Sequence, residues 1–527
     1  MTKHPSHLTR RHLLGATGAT TGTAALAWAW LGHPLGTMAQ GATPVATPGG
    51  TPVLPDPGTV VIDLPIEPTT LDPALTYDAN GWSIIHSVYD SLVAYDTDGT
   101  LRPLLAESWD VSDPLALTFR LRAGVTFHDG APLTAADVVA TVAHLQAPET
   151  ASQAAGNFTS ITAVEDTDDL TVRFTLAEPA PYLLAQFAAY LAIMPAAALA
   201  AGADLSATPV GTGPYRFDGW DRGQALRLTA NPDYAGGATK GWPLAKSATF
   251  RFVNDPSTRV ADLLSEGAEI VRDVPADAAA SVDGSGVATT LVAPVSGLTF
   301  VRIATDAAPF DDVRVRRALN LAVDVDGIVA GLLGGSGQRL ATLLDPTSLG
   351  NDPSLAPYGY DPAGARDLLS QAGLGDGFAT TLEATTSDSQ VIAEAIAGQL
   401  AEVGIDTTVS VVEKAAFDAS YADPAAAPLR MVTWTPMFDP YSLLSLVIAS
   451  EGYLSRYANP AADALITAGA TATDPVARAD AYRQLGALLH EDAPAIFLYN
   501  LTARYGVATS LDGWQPRSDA YILPVRR

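Results

Sequence analysis

Apolar and polar residues follow two different periods along this chain, and together they predict a mixed α/β protein. The apolar run at residues 60–64 (VVIDL) and the alternating segment at residues 405–409 (IDTTV) are typical of β-strands. A helical period at residues 391–403 leads directly into the second of these strands. A last helix is predicted near residues 478–491, before a strand at residues 495–499.

Hydroxyl and carboxylate side chains mark where two further helices begin. Thr134 and Asp137 have the spacing of a capping box, and apolar residues recur after them at helical intervals. Asp311 or Asp312 precedes another amphipathic helix, where a carboxylate is favoured by the helix dipole. Helices and strands are therefore predicted to alternate along the chain, which is typical of α/β proteins.

The first 57 residues have the pattern of an export signal followed by a spacer. Residues 1–40 contain two adjacent arginines, a weakly apolar run and then small residues, and TRRHLL at residues 9–14 resembles a twin-arginine export signal. The alternative is a membrane anchor, because the apolar run at residues 13–31 approaches the length that spans a bilayer. Residues 41–57 are rich in Thr, Pro and Gly and predict an extended linker.

Composition and charge exclude several classes of protein. The 527 residues carry a formal charge of −27, whereas nucleic-acid binding requires clustered Lys and Arg, so no nucleic-acid partner is expected. With 48% hydrophobic residues, the chain can bury two or three sizeable cores. It contains no cysteine, which excludes disulfides, a thiolate nucleophile and a lipid-modified N-terminal cysteine.

The chain shows no pattern of catalytic or metal-binding residues. His86, His128, His144 and His490 are scattered without ligand spacing, and the other four histidines lie in or beside the export segment. The glycine-rich residues 334–338 lack the features of a nucleophile elbow and of a phosphate-binding loop. We therefore predict that the protein is not an enzyme and has neither a cofactor nor a metal site.

Two aromatic, turn-rich segments are the candidates for ligand binding. They are residues 77–82 (YDANGW) and residues 433–441 (TWTPMFDPY). Rigid aromatic rings and exposed loop backbone make good walls for a ligand. Packing in a core is an equally good interpretation of any single ring.

A series of short motifs runs through most of the chain. The clearest are LRPLLAESW at residues 101–109 and TFRLRAGVTFHDG at residues 118–130. Further motifs are PVGTGPY at 209–215, NPDY at 231–234, VRVRRALN at 313–320, YDP at 360–362 and EDAP at 491–494. In this order they resemble the extracellular solute-binding protein family 5 of ABC importers, the oligopeptide-, dipeptide- and nickel-binding proteins. The resemblance covers nearly everything from residue 58 onward.

The resemblance implies an α/β fold with two lobes, the type II periplasmic-binding-protein-like fold with an extra subdomain inserted in the first lobe. Applied to this chain, it places lobe I at residues 58–290, with the insertion at about 98–208. Lobe II would span residues 291–498, and residues 499–527 would return to lobe I. A solute would bind in the cleft between the lobes, and closure would bury it.

Most residues of these motifs are predicted to build the scaffold of the protein and not to contact the ligand. Residues 128–130 predict a turn, and residues 211–214 predict a tight connection that depends on the dihedral freedom of glycine.

The candidate cleft residues follow from the resemblance and from residue chemistry. Trp434 and Phe438 are expected to form apolar walls, and Asp439 and Tyr441 are expected to position polar groups. The residues expected from the facing lobe are Tyr77, Asp78 and Trp82.

The resemblance leaves the identity of the solute open. In peptide-binding members, an Asp shortly after the position of Trp434 pairs with the peptide's α-amino group, but here Met437 or Phe438 occupies that place. The spacing from Trp434 to Phe438 is similar to that of nickel-binding members, although no histidine follows before His490. A short peptide or peptide-like solute is the first hypothesis, and a nickel or other metal chelate is the second. A secreted enzyme or scaffold on this fold is the third.

The resemblance also implies where the protein works and with what. The expected partners are permease subunits of an ABC transporter in the membrane, with their cytoplasmic ATPases. We expect a monomer that is exported to the periplasm or to the outer face of the cytoplasmic membrane.

Overall fold

The structure, a computed structural model, describes residues 58–526 with the exception of residues 77, 97, 98, 386, 422 and 436. For residues 387–389 it describes the backbone alone. The predicted export signal at residues 1–40 and the linker at residues 41–57 lie outside the described residues, so both stay predictions.

The described chain alternates between strands and helices. The strands are β1 (Thr59–Leu64), β2 (Val93–Tyr95), β3 (Leu101–Pro103), β4 (Ala106–Asp110), β5 (Ala116–Leu121), β6 (Ile161–Asp168), β7 (Thr171–Leu176), β8 (Tyr215–Asp221), β9 (Ala225–Ala230), β10 (Trp242–Pro243), β11 (Ser247–Phe252), β12 (Ile270–Arg272), β13 (Ala288–Ile303), β14 (Phe378–Ala384), β15 (Ile405–Val411), β16 (Leu429–Trp434), β17 (Ala495–Ala508) and β18 (Val525–Arg526). The helices are α1 (Ala79–Val88), α2 (Ala135–Gln146), α3 (Leu183–Tyr190), α4 (Ala196–Ala200), α5 (Gly237–Lys240), α6 (Pro256–Leu264), α7 (Ala279–Asp283), α8 (Val313–Ala322), α9 (Val325–Leu332), α10 (Pro362–Gln371), α11 (Ser387–Glu402), α12 (Lys414–Ala419), α13 (Pro440–Val447), α14 (Pro460–Thr471) and α15 (Pro475–Asp492).

A mixed sheet of ten strands runs through the protein in the order β15-β14-β16-β13-β17-β12-β1-β11-β9-β8. At its centre, the 16-residue β13 and the 14-residue β17 pair in an antiparallel manner. On one side β14 is parallel to β15 and β16, and on the other side β1 is parallel to β11 and β12. Strands that are distant in sequence therefore lie next to each other.

The buried apolar residues form separate cores on the two sides of the long strands. The largest core joins both ends of the described chain, with Ile62 near the beginning and Ile522 near the end. Two other cores contain residues between 298 and 499, such as Leu382 and Tyr482. A small fourth core contains Val271 of β12 and Ala508 at the end of β17. The protein thus has a first body around the large core and a second body around the two cores between residues 298 and 499, joined by β13 and β17.

The first body contains an additional sheet of four strands in the order β4-β5-β7-β6. Aromatic residues fill its inner face, and the ring centroids of Phe119 and Phe174 lie 5.6 Å apart in an edge-to-face arrangement. This sheet lies within the stretch predicted as an inserted subdomain. The residue limits given above for the lobes and for the insertion stay predictions.

The two predicted helix caps are confirmed in the structure. The Thr134 hydroxyl and the Asp137 carboxylate form the capping box of α2, and Asp312, rather than Asp311, caps α8 by accepting a hydrogen bond from the Arg314 amide. Helix α11 begins at Ser387, four residues before the predicted start. Its first residues are polar, so the apolar period on which the prediction depended sets in later.

The prediction that residues 211–214 depend on the dihedral freedom of glycine is wrong, although glycine is needed there for another reason. Neither Gly211 nor Gly213 has a positive φ. Instead, the connection packs directly on the end of α1, where the Gly213 amide donates to the Val88 carbonyl oxygen at 2.8 Å. A Cβ atom on Gly213 would lie 2.6 Å from that oxygen, and one on Gly211 would lie closer still. Glycine is needed here for the close approach of two backbones.

His128, in the predicted turn, bonds to the same connection through both ring nitrogens. Its Nε2 lies 3.0 Å from the Gly213 carbonyl oxygen, and its Nδ1 accepts from the Gly211 amide at 3.4 Å. This arrangement requires the neutral ring with the proton on Nε2. Burial, with a contribution from Arg216, lowers the pKa of His128 from 6.5 to about 4.

We expect His128 to make the protein less stable in mild acid. The unfolded chain binds a proton below pH 6.5 while the folded ring stays neutral, so stability falls as the pH decreases from 6.5 towards 4, by about 2 kcal/mol from this group. Urea unfolding at pH 7 and pH 4.5 measures the loss. A His128→Gln variant should lose less stability between the two pH values than the unaltered protein, and an equal loss would contradict the assignment.

Candidate functional site

The segment that joins β16 to α13 extends from the second body towards the first. Trp434 ends β16, where it is in register with Leu298 of β13, and packs on the core of the second body. The Met437 amide donates to the Ser296 carbonyl oxygen at 2.8 Å, and the Ser296 hydroxyl donates to the Met437 carbonyl oxygen. These bonds hold the next residue, Phe438, against the first body.

Phe438 is surrounded by tyrosines that belong to the core of the first body. Its ring stacks on Tyr95 with centroids 5.3 Å apart, and Tyr190 meets it edge-on at 5.7 Å. Tyr521 lies 6.1 Å away, and the Tyr95 hydroxyl donates to the Phe438 carbonyl oxygen at 3.1 Å. The predicted wall residue Phe438 therefore bridges the two bodies.

Tyr441 makes the second aromatic contact between the bodies. Its ring stacks on Tyr182 with centroids 4.2 Å apart. Tyr182 immediately precedes α3, and Tyr190 is the last residue of that helix, so one helix meets both Phe438 and Tyr441.

The carboxylate of Asp439, between these two aromatic residues, is bound within the second body. It caps α13 by accepting from the Tyr441 amide at 3.0 Å, and Arg478 Nη2 lies 2.8 Å from both of its oxygens. Both side chains are almost completely buried. In this structure Asp439 therefore positions the segment and has its charge compensated by Arg478.

A second buried ion pair lies on the side of the first body. Arg517 Nε is 3.0 Å from both oxygens of Asp519, and Arg517 Nη2 donates to the Tyr95 carbonyl oxygen at 3.1 Å. The Asp519 carboxylate also accepts from the Tyr521 amide at 3.0 Å. The pair thus fixes Tyr95 and Tyr521, the two rings that flank Phe438.

Of the three residues predicted from the facing lobe, the structure describes Trp82 and Asp78, and it gives them different surroundings. Trp82 is only 1% exposed, donates from Nε1 to the Thr76 carbonyl oxygen at 2.9 Å, and approaches the site through Tyr190, 5.6 Å away, and through His86, 5.0 Å away. Asp78 is exposed and caps α1, and its carboxylate accepts from the amides of Asn80 and Gly81. Tyr77 lies outside the described residues. The assignment of these residues to ligand binding stays a prediction.

Sequence reasoning missed the partners of Phe438 and Tyr441. Tyr182 and Tyr190 lie eight residues apart, a spacing that places them on one helix face, and this is a signal that the sequence contains. The contact of Tyr95 with Phe438 spans 343 residues and has no local signal. The pair Arg517 and Asp519 lies in a tail without a helical or strand period.

The electrostatics of the site favour neutral aromatic groups. Burial, together with the nearby carboxylates of Asp439 and Asp519, raises the pKa of Tyr95 well above its ordinary value. Burial, with Lys240 and Arg517, lowers the pKa of His86, which contacts Trp82 and Tyr521. At neutral pH both groups are therefore uncharged. An apolar, hydrogen-bonding surface of this kind can hold an organic solute without reacting with it.

Within the part of the chain that the structure describes, no three His, Asp or Glu side chains come together in a way that would hold a metal ion. Among the same residues, every helix is too short or too polar to cross a membrane.

Comparison with known proteins places the chain among transport proteins. Residues 100–453 match the model of the bacterial extracellular solute-binding proteins, family 5. The glutathione-binding protein GsiB of Salmonella choleraesuis (strain SC-B67) is 30% identical over 454 residues, which cover 81% of this chain and 86% of that protein.

Solved structures agree with the fold. HbpA2 from Haemophilus parasuis superimposes with a TM-score of 0.78 at 26% identity, covering 88% of this chain and 98% of that one. The ABC transporter-associated periplasmic binding protein DppA from Helicobacter pylori, in complex with the peptide STSA, gives a TM-score of 0.75 at 25% identity, with 89% and 96% covered. The two-lobed α/β fold that the sequence predicts is confirmed.

Proposed function

The chain belongs to the bacterial extracellular solute-binding proteins of family 5, and from this premise we propose that it binds a short peptide or peptide-like solute between its two bodies and delivers the solute to an ABC importer. The relatives support the class of solute, since one is named for glutathione, which is itself a tripeptide, and another holds a tetrapeptide. Family membership also gives the protein its transport role.

The observation that carries the proposal is the aromatic contact between the bodies. Phe438 and Tyr441 project from the second body onto tyrosines of the first, and these contacts support a solute site between the lobes, where closure would bury the solute. Aromatic rings supply large apolar area with little loss of side-chain entropy, and they suit the backbone and side chains of short peptides.

The importer partners follow from the family. We propose that both bodies of one monomer contact the permease subunits when the protein is closed, and that cytoplasmic ATPases drive release and import. The segment at residues 9–14 supports export by the twin-arginine route, and the absence of cysteine from the sequence supports a protein without a lipid anchor on that residue. Membership in a family of solute-binding transport proteins supports a binding role without catalysis.

The proposal predicts that a tripeptide raises the melting temperature of the full-length protein. A solute that binds only the folded state at 100 times its Kd adds about 2.7 kcal/mol to the free energy of unfolding. The measurement is a thermal-shift screen of tripeptides, including glutathione, on protein that has been unfolded and refolded to remove solute acquired during expression.

Nickel with free histidine is the control arm of this screen. A shift with tripeptides and none with nickel and histidine is expected. Unchanged melting temperatures across the whole tripeptide set would refute a peptide solute, and a shift with nickel and histidine alone would favour a metal chelate.

A further inference from the structure

One face of α3 lies against the segment that crosses between the bodies. Tyr182, Gln186 and Tyr190 follow one another at intervals of four residues, which places all three side chains along one stripe of the helix. The outer two contact Tyr441 and Phe438. Gln186 therefore lies midway between the two aromatic contacts of the site.

The side-chain amide of Gln186 is buried, and its oxygen lacks a hydrogen bond. Gln186 is only 2% exposed, and among the described residues no donor reaches its Oε1. Its backbone amide is used normally, donating to the Tyr182 carbonyl oxygen at 3.2 Å. More than nine in ten buried polar groups in native proteins have a partner, and a buried acceptor without one destabilises the protein. An unpartnered oxygen in the proposed binding site can therefore accept a hydrogen bond from a ligand.

Two buried ion pairs lie around this position, and the charges in each are already compensated. Asp439 is paired with Arg478 in the second body, and Asp519 is paired with Arg517 in the first. A solute gains little from a carboxylate or guanidinium whose charge is balanced within the protein. A neutral amide that lacks a partner offers a full hydrogen bond instead.

Building on the proposed function, we propose that Gln186 binds the solute directly, with its Oε1 accepting a hydrogen bond from an N–H group of the bound peptide. The chemical class that fits is a short peptide or related amide with a backbone N–H pointing towards α3. The rings at either end of the stripe would hold the apolar parts of the same solute. Recognition through an amide N–H accepts many side chains, because every peptide carries that group.

The test is a thermodynamic cycle that combines one substitution in the protein with one modification of the solute. We would measure affinities of the unaltered full-length protein and of Gln186→Leu by calorimetry, using the tripeptide with the largest thermal shift and its analogues methylated at one peptide nitrogen each. Gln186→Leu should weaken binding of the parent tripeptide about tenfold, the size expected for one neutral hydrogen bond. One N-methyl analogue should bind the unaltered protein about tenfold more weakly, and the variant should no longer distinguish it from the parent.

Gln399→Leu is the matched control. The Oε1 of Gln399 accepts from the Asp324 amide at 2.9 Å, on α11 of the second body. This control should lower the melting temperature and leave the affinity unchanged, whereas Gln186→Leu should not lower the melting temperature of the solute-free protein. If Gln186→Leu fails to fold, Gln186→Met preserves the length of the side chain and removes the same acceptor.

The outcomes separate this proposal from the one on which it rests. Equal affinity of the unaltered protein and Gln186→Leu, or the same sensitivity of both to N-methylation, would overturn the role of Gln186 while leaving peptide binding intact. Failure of every tripeptide to bind the unaltered protein would overturn the proposed function, and this proposal with it.

Discussion

An Asp90→Asn substitution should lower the free energy of unfolding by about 3–5 kcal/mol, because it removes one partner of a fully buried ion pair. Lys240 Nζ lies 2.7 Å from Asp90 Oδ1, and both side chains are at most 3% exposed. Burial lowers the pKa of Lys240, and Asp90 opposes this effect. Thr212 and Tyr234 also donate to the carboxylate. Urea unfolding at pH 7 measures the loss.

Two further variants make the prediction specific. Asp418→Asn breaks an exposed ion pair with Lys414 and should change stability by less than about 0.5 kcal/mol. Adding Lys240→Met to Asp90→Asn removes the uncompensated charge and should recover most of the loss. If the double variant were as unstable as Asp90→Asn alone, the hydrogen bonds of Thr212 and Tyr234, rather than the ion pair, would account for the effect.

The largest effect on solute binding is expected from Phe438→Ala. This variant removes the ring that stacks on Tyr95 and meets Tyr190 edge-on, and truncation of a central aromatic anchor typically costs 2 kcal/mol or more. We therefore expect the Kd for the best tripeptide to rise by about 30-fold or more. We expect the loss to have two sources, because the proposal has the ring contact the solute and because the ring also contributes to the contact between the two bodies.

A control separates binding from packing. Tyr358 stacks on His490 with centroids 4.4 Å apart in the second body, so Tyr358→Ala should reduce stability with little effect on the Kd. Both variants would be measured by calorimetry with the same tripeptide and by thermal unfolding without it. A Phe438→Ala variant that melts at a lower temperature but keeps its affinity would make the ring a packing residue.

The elements were predictable from sequence because their signals are local. A capping box, as at Thr134 and Asp137, depends on residues three positions apart, and a strand period is visible within five residues. The arrangement of the strands was not predictable by the same reasoning, since β1 pairs with β11 almost 190 residues later. The two-lobed arrangement was predicted from the resemblance to a known family, because hydrophobic periodicity contains no information on which strands pair.

The candidate site was predictable only in part, for the same reason. Phe438 and Tyr441 were predicted to contact a ligand from the resemblance and from their chemistry, and the structure shows that they bridge the bodies, which leaves that prediction open. Trp82, chosen on the same grounds, is buried in the core. Aromatic residues serve both roles, and which role applies depends on partners that the fold brings together. The unpartnered oxygen of Gln186 is likewise a property of the packed structure.

The strand order also determines when the protein can fold during its synthesis. Strand β12 lies between β1 and β17, so the sheet of the first body lacks a strand until the ribosome has made residue 508. A nascent chain that has completed residues 58–290 therefore still exposes apolar surface, and such surface invites aggregation. The sheet of the first body can therefore be completed only near the end of synthesis. A chain with this order of events benefits from an export route that waits for the finished fold, which is how the twin-arginine route predicted from residues 9–14 operates.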